Sequence, residues 1–202
     1  MVFDPSVPNF DADKFQRQDW SQTVYGDAPP DRPPNISKPR GQGFIVSAYV
    51  DSDHNSDTVT RRSRTGFFIY CNNALVYCMS KKQGYIETSS FGSEFVAMKA
   101  CTEYIRWLMF KPQMLGIQCD CPACIFGDNQ YVLANTTMPH SILKNKSNSI
   151  VYQFVREVNA RDKWGDTYIN SNDNRSNLFT KPLPHGENRT KFCKMLLRHI
   201  WV

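Results

Sequence analysis

FIVSAYVDSD (44–53), TGFFIYC (65–71) and ALVYCMS (74–80) decide the fold. Each is a short run of β-branched and aromatic residues, and the second and third are separated only by the Asn72-Asn73 turn, so they predict three consecutive antiparallel strands. A long helix follows. From Ser90 to about Lys111 the residues Phe91, Phe95, Met98, Cys101, Ile105 and Leu108 recur at three- or four-residue spacing, which is one helical face. ACIFGDN (123–129) is a short apolar run ending in Asp and Asn, the pattern of a buried strand feeding a short helix from Gln130. Ile150, Val151, Phe154, Val155 and Val158 form a second helical stripe, TYIN (167–170) a brief strand, and Glu187 to Trp201 a last helix with Phe192, Leu196 and Ile200 inward. Three meandering strands followed by strand–helix crossovers predict an α/β fold with a mixed five-stranded sheet.

Outward from this core, residues 1–43 hold seven of the twelve prolines and show no sustained period, so they read as an extended proline-rich lead-in to a domain over 44–202. With 41% hydrophobic residues and a mean hydropathy of −0.50, the chain contains no apolar run near the roughly 18 residues of a membrane span. MVFDPSVPNF lacks a basic, apolar leader, which predicts an intracellular protein whose seven cysteines are reduced. Cys71, Cys78 and Cys101 fall in apolar segments and read as core. Cys119, Cys121 and Cys124 are crowded as if for zinc, but a structural site wants a fourth ligand that the neighbouring sequence does not offer. His54, His140, His185 and His199 are scattered and read as surface or capping residues. The net charge of +5 is unevenly spread: residues 1–35 are acidic, and basic residues gather at Arg61, Arg62 and Arg64, at Lys81 and Lys82, at Lys144 and Lys146, and from Lys181 onward.

Acidic residues stand where strands end. Asp51 and Asp53 lie two apart on one strand and so share a face, Glu94 sits early in the long helix, and Asp128 follows a buried strand, where open α/β sheets build their sites. Such an all-oxygen set suits Mg²⁺ or Mn²⁺ and phosphodiester chemistry; solvated turn acids are the alternative reading of the same spacing.

Five ordered stretches resolve this choice by resemblance. YVDSDHNSDTVTRRSRTGFFI (49–69), SKKQGYIETSSFGSEFVAMKA (80–100), GDNQYVLANT (127–136), KNKSNSIVYQFVRE (144–157) and LFTKPLP (178–184) resemble the ribonuclease H domain of copia-type LTR-retrotransposon Pol polyproteins. The lead-in resembles the segment joining reverse transcriptase to ribonuclease H. The resemblance implies a ribonuclease H-like mixed sheet with helices on both faces, an RNA/DNA hybrid as substrate, a reverse transcriptase domain as neighbour, no membrane partner, and a cytoplasmic or virus-like-particle location. It implies two Mg²⁺ (or Mn²⁺) ions, with Asp51, Glu94 and Asp128 as catalytic residues and metal ligands. A fourth catalytic position falls on Asn177, where the family has Asp; the amide keeps an oxygen but loses the charge, so the second ion should bind more weakly. Asp173, four residues earlier on the same expected helix, is a candidate to compensate. Further departures are Tyr131 after the Asp-Asn-Gln run, Tyr77-Cys78 in place of a strand tryptophan, and no histidine between Gly165 and Asn177. Activity as an endonuclease and a cleavage-impaired remnant that still binds nucleic acid therefore both stand open. Arg61, Arg62, Arg64, Lys81 and Lys82 are the expected phosphate contacts, with 2′-hydroxyl contacts telling RNA from DNA. Tyr85 and Tyr131 are expected to be buried before they are expected to stack on bases. Asp166 and Glu157 read as ordinary element charges.

Overall fold

A computed structural model describes residues 18–26, 29, 32–119, 122–143, 148–162 and 164–196. Five strands, β1 (Val46–Asp53), β2 (Arg64–Cys71), β3 (Ala74–Lys82), β4 (Cys124–Gly127) and β5 (Gly165–Tyr168), form one sheet in the order β3-β2-β1-β4-β5. β1 to β3 pair antiparallel, whereas β4 and β5 run parallel to β1. The Asn72-Asn73 turn makes the hairpin: Asn72 adopts φ 53°, its amide accepts from Ile45 N–H, and its own N–H donates to Ile45 O.

Alternation divides the sheet into two faces. Val46, Ala48, Val50, Phe67 and Ile69 point to the main core beneath α1 (Ser90–Met114) and α3 (Ser149–Asp162), where Phe95, Met98, Ile105 and Val155 are buried. Tyr49, Phe68 and Tyr70 point the other way. There Tyr49 stacks on Phe126 at 5.0 Å, Phe68 stacks on Phe179 at 4.4 Å, and Arg175 lies over Tyr49 and Tyr70. Phe179 belongs to α4 (Asn177–Thr180), so helices do cover both faces. α2 (Gln130–Thr137) and α5 (Glu187–Leu196) complete the fold.

Several boundaries differ from the sequence pattern. α1 passes Pro112 and ends at Met114, because a proline in the last turn removes only one helical hydrogen bond; Gly116, at φ 81°, then closes it. β5 begins two residues before TYIN. The last helix is described to Leu196, and Ile200 and Trp201 lie outside the described residues. Cys101 is fully buried and Cys71 half-buried, but Cys78 is exposed on the outer face of edge strand β3. Cys121 lies outside the described residues, as do Lys144, Lys146, Arg198 and His199.

The lead-in does not run free where it is described. Trp20 is buried at 9% exposure and lies 4.8 Å from the Arg156 guanidinium, which also sits 4.8 Å over Tyr152. Arg156 donates to the carbonyls of Asn135, Met138 and Pro139, and the Tyr25 hydroxyl bonds Gln153.

Asp166 corrects the sequence reading more sharply. Far from an ordinary strand charge, it is buried on β5, takes a 2.8 Å bond from Asn159 Nδ2, and is pushed above the usual carboxylate range by burial, with Thr136 and Asn159 opposing. Asp166 Oδ1 and Asn159 Oδ1 are both buried without a hydrogen-bond donor, as they would be where the missing donor is a proton on the acid. Because the folded-state pKa is raised, the folded protein retains a proton that the unfolded chain gives up. Stability is thus fullest below the unfolded value near 4 and falls as pH rises toward the folded value, with a limiting slope of about 1.4 kcal/mol per pH unit for one proton. Asp166→Asn should remove this component. Urea denaturation of both proteins from pH 4 to 8 should show their stability difference growing in favour of the variant as pH rises.

Candidate active site

Because β1 and β4 run parallel, their C-terminal ends open on the same side, and the crevice lies there. Asp51 is delivered by β1 and Asp128 by the turn after β4. Asn129 caps α2, its Oδ1 accepting from the N–H groups of Tyr131 and Val132, and so fixes the turn that carries Asp128. Ser89 caps α1 by accepting from Gly92 N–H, which places Glu94 one turn into the helix. Gln83 braces this end from below, donating to Thr65 Oγ1 and Ser93 O and so tying β3 and β2 to α1.

The result is a convergence of Asp51, Glu94 and Asp128, with one carboxylate oxygen of each within 4.8 Å of the others. Burial raises the Asp51 pKa to about 6, and the Asp128 charge adds to it; Lys181 and the Thr180 hydroxyl pull in the opposite direction. Glu94 is raised well above its ordinary value by burial and then by Asp51 and Asp128, against Lys181 and a Ser52 backbone N–H. Asp51 and Glu94, which resist ionisation beside the Asp128 carboxylate, are matched to a multivalent cation, whose arrival would release protons.

The loop before α4 and α4 itself complete the site. Asn174 is fully buried; its Nδ2 donates to Val50 O at 2.9 Å, and its Oδ1 accepts from Ser176 N–H and Oγ–H. The Thr180 hydroxyl donates to Asp51 Oδ2, and the Lys181 ammonium lies 3.3 Å from Asp51 Oδ1. Asn177 is buried beside them, with Nδ2 donating to Ser171 O at 2.5 Å and Oδ1 accepting from Lys181 Nζ at 2.6 Å. Asp173 is not on this helix. It lies in the preceding turn, paired with Lys191 at 2.5 Å, and so does not stand in for the missing fourth acid.

The expected phosphate contacts divide. A cleft of about 360 Å³ is lined by Asp53, Arg62, Arg64, Lys82, Thr180 and Lys181, among others. Arg61 and Lys81 do not line it. Lys81 follows Tyr77 and Met79 onto the α1 side, one residue out of phase with Lys82, while Arg61 is exposed in the loop at φ 55°. Lys82 pairs with Asp57, whose carboxyl this ammonium holds well below the usual range. Tyr85 and Tyr131 are exposed at 51% and 70%, contrary to the expectation of burial, and Tyr131 stands three residues from Asp128. His54 lies 3.4 Å from Ser63, and His140 and His185 are exposed. Among the described residues the three carboxylates are the only group of three His, Cys, Asp or Glu side chains placed to share a metal.

Comparison with known proteins bears on the fold and on the relatives of the chain. No family model matches the chain. The retrovirus-related Pol polyproteins from transposons RE2 and RE1 of Arabidopsis thaliana are each 27% identical to it over 147 residues, 71% of this chain. The match spans about a tenth of the length of each polyprotein (10%). Ribonuclease H1 of Halobacterium salinarum superposes with a TM-score of 0.53 at 16% identity, over 67% of this chain and 94% of that one. LC11-ribonuclease H1 in complex with an RNA/DNA hybrid gives 0.53 at 13% identity, over 67% and 93%. The fold is that of ribonuclease H, and the relatives are retrotransposon Pol polyproteins. In this ribonuclease H-like chain, sequence reading missed Thr180, Lys181 and Asn174 as site residues. The four-residue interval from Asn177 to Lys181 carried a readable signal; nothing local marks Asn174.

Gly66 sets how closely α4 approaches. A Cβ there would stand 2.6 Å from Thr180 Cγ2 and 3.1 Å from Phe179 Cβ, so only glycine lets Thr180 reach Asp51. Gly66→Ala should cost about 1–3 kcal/mol, the usual range for overpacking. Adding Thr180→Ser, which deletes the methyl and keeps the hydroxyl, should recover much of that loss in a double-mutant cycle followed by thermal denaturation.

Proposed function

We propose that this chain is the ribonuclease H unit of a retrotransposon Pol polyprotein and cleaves the RNA strand of RNA/DNA hybrids during reverse transcription. The convergence of Asp51, Glu94 and Asp128 at the open ends of β1 and β4 carries the reading. The Pol relatives support the setting, and the neighbour bound to an RNA/DNA hybrid supports the substrate.

Asp51, Glu94 and Asp128 would hold Mg²⁺ or Mn²⁺; the crowding of one buried and two half-buried carboxylates, with Asp51 and Glu94 held against ionisation by burial, fits hard divalent cations. Bound there, such ions polarise a phosphoryl oxygen and lower the pKa of water. The chain's own residues do the rest. Thr180 and Lys181 hold Asp51 in one orientation through its two oxygens. Glu94, half-buried and anchored by Ser52 N–H, would orient water at the scissile phosphate. Arg62, Arg64 and Lys82 line the cleft and bind the backbone, and the exposed rings of Tyr85 and Tyr131 offer stacking surfaces. The lead-in joins this unit to a reverse transcriptase domain.

Asp51→Asn should lower Mg²⁺-dependent cleavage of a labelled hybrid by about a hundredfold or more, since it removes charge from the buried carboxylate of the cluster. Arg62→Ala and Arg64→Ala should weaken hybrid binding and each reduce the salt slope by roughly 0.7–0.9 if one phosphate contact is lost, whereas Lys81→Ala should leave the slope nearly unchanged. Hybrid bound at low salt but cut with neither Mg²⁺ nor Mn²⁺ would favour the reading in which Asn177 has disabled the site.

A further inference from the structure

Lys181 and Asn177 face each other across the single turn of α4. The amide of Asn177 is oriented by its neighbours: Nδ2 must donate to Ser171 O, so Oδ1 is left to accept from the ammonium at 2.6 Å. A neutral oxygen holds an ammonium without cancelling its charge. The carboxylate next in reach is Asp51, 3.3 Å away and with its side chain 1% exposed, and Thr180 already occupies its other oxygen. A carboxylate at position 177 would instead draw the ammonium into a local ion pair and away from Asp51.

Charge balance points the same way. Before substrate binds, three carboxylates are neutralised by one divalent ion together with one ammonium, whereas two divalent ions plus the ammonium would leave an excess of two positive charges around a buried Asp51. Building on the nuclease reading above, we infer that Lys181 is the second cation of this site. Its ammonium, 3.3 Å from Asp51 Oδ1, supplies the positive charge that a second divalent ion would otherwise bring, and Asn177 is the neutral cradle that keeps that charge available. The chain therefore holds one divalent ion among Asp51, Glu94 and Asp128. Because Lys181 also lines the basic cleft, the same ammonium can meet a phosphate oxygen of the strand being cut.

The test combines calorimetric titration of Mn²⁺ into the whole chain with the order of hybrid cleavage in Mg²⁺. The natural chain should bind one ion and cleave with first-order dependence on Mg²⁺. Lys181→Met should bind the first ion about tenfold more tightly, the scale of a unit charge acting on a divalent ion several ångströms away, while losing cleavage. Lys181→Arg, which keeps the charge, should keep the natural count and affinity. Asn177→Asp should bind a second ion and cleave with second-order dependence. Thermal denaturation confirms that each variant is folded, and a Lys181→Met protein that fails to fold leaves the decision to Asn177→Asp and to the Mg²⁺ order of the natural chain. Second-order dependence in the natural chain, or Mn²⁺ affinity indifferent to Lys181→Met, overturns the inference and leaves the nuclease reading standing. No Mn²⁺ binding that depends on Asp51 overturns both.

Discussion

The mutual repulsion of three carboxylates held within 4.8 Å is the constraint around which this domain is arranged. Unfixed side chains in such a position would turn away from one another, so each must be delivered by an element that cannot move. Asp51 stands two residues before the end of the central strand, Asp128 stands in a turn fixed by the Asn129 cap, and Glu94 rides the start of the longest helix, whose N-terminus Gln83 ties to two strands. The acids thus come from parts of the chain that only the finished fold brings together. Thr180 and Lys181 then supply the opposing hydrogen bond and charge, and they reach Asp51 because Gly66 lets α4 lie almost on the sheet.

Much of this frame was legible because it follows local period. Strand alternation and the Asn72-Asn73 turn gave the meander, and the apolar run ending at Asp128 gave the parallel crossover. What local pattern does not encode is which distant group captures a side chain. Asp173 was expected on the helix of Asn177, yet Asn174 spends its amide on Val50 O and its carbonyl oxygen on Ser176, so the helix starts only after that turn. Strand phase, by contrast, was present in the sequence: Lys81 and Lys82 must face opposite sides, and treating them as one basic group overlooked it. The burial of Asp166 was invisible for the opposite reason, since GDTY reads the same whether its acid meets water or Asn159.

The chain handles buried charge in two contrasting ways. Arg156, 3% exposed, is settled by backbone carbonyls and by the ring faces of Trp20 and Tyr152, partners that are fixed and need no counter-ion. That arrangement recruits part of the lead-in to complete the environment of α3, which explains why a proline-rich stretch with no helical or strand period still makes ordered turns at residues 20–26. At the carboxylate cluster the balance is deliberately incomplete. Lys181 offsets one charge, and the remaining excess is what gives the site its appetite for a cation.

Asn177 belongs to this incomplete balance and also to the local scaffold. Its amide nitrogen donates to Ser171 O, a bond that a carboxylate could not make, and its backbone N–H closes the turn onto Asn174 O. An acid at this position would face a carbonyl oxygen with its own lone pairs on one side and gain an ion pair with Lys181 on the other. The amide therefore favours the geometry of the loop, and an acid would favour cation capacity at the expense of that loop, an exchange of stability against function of the kind active sites commonly make. Losing the charge at 177 does not collapse the site, because Asn174 anchors the segment to Val50 O through a neutral hydrogen bond that is independent of any charge at the cluster.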